Sequence, residues 1–149
     1  MEYMYDDALW EIDSEETIRF KQEAFNQRCR TYETILNSCS ARFPKRFVKQ
    51  YTESFYFHDY RIQSILFCGE YPASVARTIT DGQNVFSVIY ERVTTFRCGI
   101  ADALYSTDIV YNEILPCGNN AFSHEFQLSY QNSKMLIVFR RLRFRRLHK

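Results

Sequence analysis

Glycine and proline are scarce in this chain, four and three among 149 residues, which excludes the low-complexity and disordered classes that those residues mark. No apolar run approaches the roughly 18 residues that suggest a membrane span. The opening residues, MEYMYDDALWEID, lack the basic region that precedes the apolar stretch of a secretory signal. Cysteine occurs at 29, 39, 68, 98 and 117, an odd number with no CxxC pair and no zinc-ribbon or zinc-finger spacing. These cysteines read as small buried hydrophobes of a reducing, cytoplasmic compartment. Phosphate loops are missing too: glycines 69, 82, 99 and 118 are isolated, and neither GxGxxG nor the P-loop pattern occurs. There is no GxSxG elbow, and no cysteine lies beside a histidine.

What remains is rich in core-forming residues, 46% hydrophobic and 17% aromatic. A domain of this length buries roughly 70% of the surface of its unfolded chain without help from disulfides or metals. One domain over residues 1–149 is expected, with a docked or flexible tail over 1–12, a helical part over 13–54 and a sheet part over 55–147. Asp13 and Glu16 are spaced like a capping box, and the acidic first turn suits the helix dipole. Ile18, Phe25, Cys29, Tyr32, Leu36 and Cys39 then form one stripe of a long helix. That helix ends near Ser40 to Phe43, because Pro44 disfavours helical geometry in its predecessor and itself suits the first position of a new helix. Phe47, Val48 and Tyr51 make the apolar side of this second, short helix.

From Phe55 onward, β-branched and aromatic runs alternate with turn residues. Strands are expected over 60–68, 74–80, 85–97, 108–115, 122–130 and 134–145. Asp81-Gly82 and Gln131-Asn132-Ser133 read as hairpin turns. Helices first and strands afterwards argue an α+β fold, the long and short helices packed on one face of an antiparallel, meander-like sheet of five or six strands. Along FSHEFQLSY, alternation puts His124 with Phe122, Phe126, Leu128 and Tyr130. In the final strand it groups Leu136, Val138, Leu142 and Phe144 on one face, interrupted by Arg140, and Arg141, Arg143 and Arg145 on the other.

Taken in order, FHDYRI (57–62), VYNEI (110–114), SHEFQL (123–128) and MLIVFRRLRF (135–144) resemble the sheet region of an uncharacterised bacterial family. In that family a helical segment leads into an FHDxxI strand, a WLYEEI-like strand, an FHxxL-like strand and a closing strand. The resemblance runs from about Phe25 to Phe144; it implies an α+β fold and brings no catalytic assignment. The small, sheet-rich architecture is similar to that of bacterial immunity proteins, which neutralise toxins by binding them, an analogy of fold class alone. The chain departs from the pattern at Ile109-Val110, which replace Trp-Leu, and at Asn112, which replaces the first Glu.

The matched motifs carry His58, Asp59, Glu113 and His124 beside Tyr111. Two imidazoles and two carboxylates suit zinc or non-haem iron, and would make a metal-dependent enzyme if the sheet register brought them together. None of them has a local ligand spacing such as HxH or HExxH, so the weightier reading is structural and no cofactor is expected. His58-Asp59 fixes a turn, and His124 is a core histidine bonded to a carboxylate, Glu113 for instance, or to a Tyr hydroxyl.

Net charge is only +1, yet Met1 to Glu23 hold eight acidic residues against two basic, and Lys134 to Lys149 hold seven basic and no acidic ones. The acidic end is expected near the basic strand. Alternate residues on a strand lie about 7 Å apart, where repulsion between guanidinium groups in water is only about 0.6 kcal/mol. Arg141, Arg143 and Arg145 therefore suit solvent, a phosphate backbone or an acidic protein partner, for which arginine's planar fork is apt. The sequence favours the last: a non-catalytic protein-binding module, with nucleic-acid binding as the alternative.

Overall fold

The computed structural model describes Tyr3 and residues 14–70, 74–99, 107–129 and 133–147. Helix α1 spans Glu15–Cys39, and its cap is Ser14, whose Oγ accepts the Thr17 N–H at 3.4 Å. Asp13, expected in that role, lies outside the described residues. Of the expected stripe only Tyr32, Leu36 and Cys39 are buried, while Ile18 is exposed. The first turns of α1 thus stand clear of the core. A 3₁₀ turn, Ser40–Arg42, follows. Helix α2, Lys45–Glu53, begins one residue later than expected, with Pro44 as its cap. The Phe47 and Val48 N–H groups donate to the Pro44 carbonyl at 2.9 and 3.1 Å. No described helix is long and apolar enough to cross a membrane.

Between α2 and the first strand, Phe55, Tyr56, Phe57 and Asp59 all take positive φ, from 47° to 62°. Left-handed backbone costs roughly 1–2 kcal/mol per non-glycine residue. Burial of Tyr56 and Phe57 offsets it, and the Asp59 N–H is anchored on the Ile109 carbonyl at 2.9 Å.

Eight antiparallel strands follow among the described residues: β1 (Arg61–Cys68), β2 (Ser74–Thr80), β3 (Val85–Glu91), β4 (Thr95–Cys98), β5 (Thr107–Pro116), β6 (Phe122–Leu128), β7 (Lys134–Phe139) and β8 (Arg141–Leu147). The count exceeds the expected five or six because two long candidates are each broken once. The run 85–97 bends through Arg92, where φ is 53°, and 134–145 breaks at Arg140. The two breaks face each other: the Arg140 N–H donates to the Glu91 carbonyl at 3.2 Å, and the Thr94 N–H to the Val138 carbonyl at 2.9 Å.

Strand order is β4-β7-β6-β5-β1-β2-β3-β8. Because β3 runs on into β4, β7 runs on into β8, and β3 pairs with β8 while β4 pairs with β7, the ends of this order are joined through the chain. The six ribbons therefore curl into a barrel whose ends are joined by the β3–β8 and β4–β7 pairings, while the far side of β8 keeps a free edge among the described residues. Its narrowest seam is between β1 and β5, paired only at Arg61↔Asp108 and Ile62↔Thr107.

The break at Arg140 also resets alternation. Met135, Ile137 and Phe139 face the core on β7, and Leu142 does so on β8. Leu136 and Val138 therefore do not share a face with Leu142 and Phe144, contrary to the unbroken period-2 reading. One end of the barrel is filled from α2 and its flanks: Phe47 meets Phe43, Tyr51, Phe57 and Phe144 with ring centroids 5.2–5.9 Å apart.

The β2–β3 hairpin confirms the Asp81-Gly82 turn. Asp81 Oδ1 accepts the Gln83 and Asn84 N–H groups at 2.9 and 2.6 Å, and Gly82 has φ +92°. Asp81→Ala is expected to lower stability by about 1.5–3 kcal/mol, the range for hydrogen bonds to a charged group. A urea midpoint unchanged from wild type would refute that assignment. The β6–β7 pairing is likewise present, although its turn residues 130–132 lie outside the described set.

Candidate functional site

Inside the barrel a polar layer crosses from wall to wall. His124 on β6 is fully buried, 3.9 Å from Phe126 between ring centroids. Its Nδ1 lies 2.9 Å from the Tyr90 hydroxyl on β3, and its Nε2 lies 2.9 Å from Asn112 Oδ1 on β5. Asn112 Nδ2 donates to the Tyr56 carbonyl. That last bond fixes the polarity of the chain: with Oδ1 as acceptor, Nε2 carries the proton and Nδ1 accepts from Tyr90. Burial, and secondarily Arg77, hold His124 well below its ordinary pKa, so the ring is neutral. Burial pushes the Tyr90 hydroxyl up to about 12. A parallel link joins Tyr32 and Tyr51 through their hydroxyls at 2.9 Å, and Tyr32 also accepts the Ile114 N–H at 2.8 Å.

His124 is thus the expected core histidine with a tyrosine partner, but not with Glu113. In the β5–β6 register His124 opposes Ile114 while Glu113 opposes Glu125, so the two side chains project to opposite faces. The acceptor for the His124 Nε2 proton is the Asn112 amide oxygen, not a carboxylate. Glu113 instead accepts the Tyr3 N–H at 2.9 Å. His58 pairs with its neighbour, Nδ1 to Asp59 Oδ2 at 2.9 Å, and its ring packs edge-on against Tyr111. The four candidate ligands do not converge, and the described residues hold no group of three His, Cys, Asp or Glu side chains placed for a metal.

The sequence reading missed Arg77. On β2 it points inward between Val75 and Ile79 and is 0% exposed. Its Nε, Nη1 and Nη2 have no hydrogen-bond partner. The guanidinium carbon stands 3.9 Å from the Phe126 ring centroid and 5.8 Å from that of Tyr90. Burial lowers its pKa, partly countered by Tyr90 and Tyr51. Cation–π stacking returns about 2 kcal/mol in a desolvated setting, against several kcal/mol for taking an ion out of water. The protein's own groups leave this charge under-compensated. The signal was present in SVARTIT, where strict alternation places the arginine among β-branched core residues.

At the surface, Arg143 Nη2 lies 2.8 Å from Glu91 Oε1 and Arg141 Nε lies 3.4 Å from Oε2 of the same carboxylate. Two of the three candidate arginines therefore rest on an internal partner from β3. The third, Arg145, lines a groove of about 310 Å³ between α2 and β8 together with Arg46, Lys49, Glu53, Phe86 and Phe144. Phe86 and Phe144 stack at 5.4 Å to form its floor. Arg146, absent from the sequence-level set, lines the same groove and bonds Asn84 Oδ1. Beside it runs the outer edge of β8, which has β3 as its one strand neighbour among the described residues. Of the acidic segment expected near these arginines, residues 1–13 lie outside the described residues except for Tyr3, which stacks on Tyr32 at 6.3 Å; Glu15, Glu16 and Glu23 are exposed on α1, and Glu23 lies 3.8 Å from Arg19 of the same helix. No protein-family model matches the chain, and no curated protein does.

Proposed function

We propose that this chain is a non-catalytic protein-binding module that takes an acidic segment of its partner along the α2–β8 groove. The observation that carries the reading is the groove's composition: four cationic side chains, Arg46, Lys49, Arg145 and Arg146, and one carboxylate, Glu53, surround an aromatic floor. Lys49 and Glu53 pair at 3.8 Å, which leaves the arginines as the dominant field. Such a surface suits carboxylates interleaved with an apolar anchor, and the open β8 edge supplies backbone donors and acceptors to an extended chain. A nucleic acid would need phosphate contacts along a longer basic track, and Glu91 interrupts the arginine row.

The test is anisotropy titration of a labelled peptide alternating glutamate and phenylalanine. Saturable, salt-sensitive binding is expected, weakened about ten-fold or more, some 1.4 kcal/mol, in the double variant Arg145→Glu, Arg146→Glu. Arg141→Glu, remote from the groove, should change it little. Equal binding of the peptide to wild type and double variant, or tighter binding of single-stranded DNA than of the peptide, would overturn the reading.

A further inference from the structure

A cation enclosed by aromatic rings and neutral hydroxyls is an incomplete arrangement, and the barrel indicates what completes it. The Arg77 guanidinium carbon stands 3.9 Å from the Phe126 ring centroid, and none of its nitrogens has an acceptor. Its titratable neighbours, His124, Tyr90 and Tyr51, are all uncharged at neutral pH. We propose that the barrel interior binds an amphipathic carboxylate, its head group on the N–H fork of Arg77 and its apolar body between Phe67 and Phe96 at the rim.

Each part of the ligand follows from the residues that would meet it. A planar carboxylate is the natural bidentate acceptor for a guanidinium, and one negative charge matches the one cation of this layer. The body is placed by register. Ile65 opposes Arg77 and Phe67 opposes Val75 in the β1–β2 ladder, so Phe67 shares Arg77's inward face one layer, about 7 Å, nearer the strand end. Phe96 opposes the inward Ile137 on β7, and it meets Phe67 edge-on at 4.9 Å. Phe67 is nevertheless 61% exposed. These two rings form an apolar rim above the guanidinium, at the end of β2 away from Ile79 and the aromatic plug of α2. Arg77 itself does not reach solvent, so this is the closed barrel, and the Phe67–Phe96 contact is what the ligand parts. Tyr90 already donates to His124, which leaves the head group to Arg77.

The measurement is calorimetric titration of the full chain with octanoate, and with octanol and acetate as arms that keep only the body or only the charge. Octanoate is expected to bind saturably with one site, and octanol and acetate at least about ten-fold more weakly. Arg77→Met should weaken octanoate by at least ten-fold without changing octanol, and Arg77→Lys, which keeps the charge and loses the fork, should fall between. The lysine variant carries the comparison if the methionine variant does not fold. Phe67→Ala should weaken octanoate while leaving acetate unaffected. The proposal is overturned if wild type takes no octanoate at millimolar concentration, if Arg77→Met binds it as wild type does, or if octanol binds as tightly. The acidic peptide should not displace octanoate; displacement would put the fatty acid in the α2–β8 groove and overturn the assignment to Arg77.

Discussion

His124→Ala is expected to destabilise the protein by about 4 kcal/mol, combining an unfilled aromatic-sized cavity with the orphaned Tyr90 hydroxyl and Asn112 carbonyl. That is a large part of the 5–15 kcal/mol that holds most domains together. The same substitution should change the pH dependence of stability, which a cavity alone would not. In the folded state the ring is held neutral by burial in a shell of Arg77 on β2, Tyr90 on β3, Asn112 on β5 and Tyr51 on α2. In the unfolded chain it takes up a proton below about pH 6.5. The unfolded state therefore binds more protons, and wild-type stability is fully present above that pH. It falls as pH drops toward the depressed folded-state value, by up to about 1.4 kcal/mol per pH unit. Guanidinium denaturation between pH 8 and 5 should show this slope in wild type and a flatter line in His124→Ala. A loss below 1 kcal/mol, or parallel pH profiles, would contradict the reading of His124 as a buried, neutral ring bonded on both sides.

Local signals carried much of this architecture. Pro44 marks the boundary between the helices, Asp81-Gly82 marks a hairpin, and alternation in FSHEFQL places His124 inward. What escaped was the effect of two single residues on a long-range property. Arg92 and Arg140 look ordinary in sequence, yet the breaks there face each other across the sheet and turn two long strands into four. Only those bends convert an open meander into a barrel, and they invert the face assignment of Leu136 and Val138. Register decides the polar site in the same way. His124 and Glu113 both lie in motifs, and neither local pattern reveals that Ile114, not Glu113, sits opposite the histidine. Arg77 was a different kind of miss: the alternation in SVARTIT was legible but went unread, and the cost of burying an arginine is visible only when the rest of the barrel is in place. The arginine strand was read correctly as split between an apolar and a basic side, but Glu91, the carboxylate that engages Arg141 and Arg143, comes from a strand some 50 residues earlier in the chain.

Phe47→Ala is the complementary perturbation, aimed at the helical end of the barrel instead of its polar layer. Phe47 is 0% exposed and touches four rings, so truncation should cost about 4 kcal/mol, within the range for buried phenylalanine. The loss should be local as well as large. Helix α2 has nine residues, too few to persist on propensity alone, and Phe47 and Tyr51 are its buried residues. Without the Phe47 ring, amides of residues 45–53 should exchange with solvent much faster than those of β2 and β3. The peptide groove should open with them, because Arg46, Lys49 and Gln50 line it from α2. Octanoate binding at Arg77 should survive, since its rim lies at the other end of β2. Phe20→Ala supplies the contrast: Phe20 is 72% exposed on α1, and its removal should shift stability by no more than about 0.5 kcal/mol. If Phe47→Ala and Phe20→Ala cost the same, or if exchange in α2 is unaltered, the helix is held to the barrel by something other than its aromatic contacts.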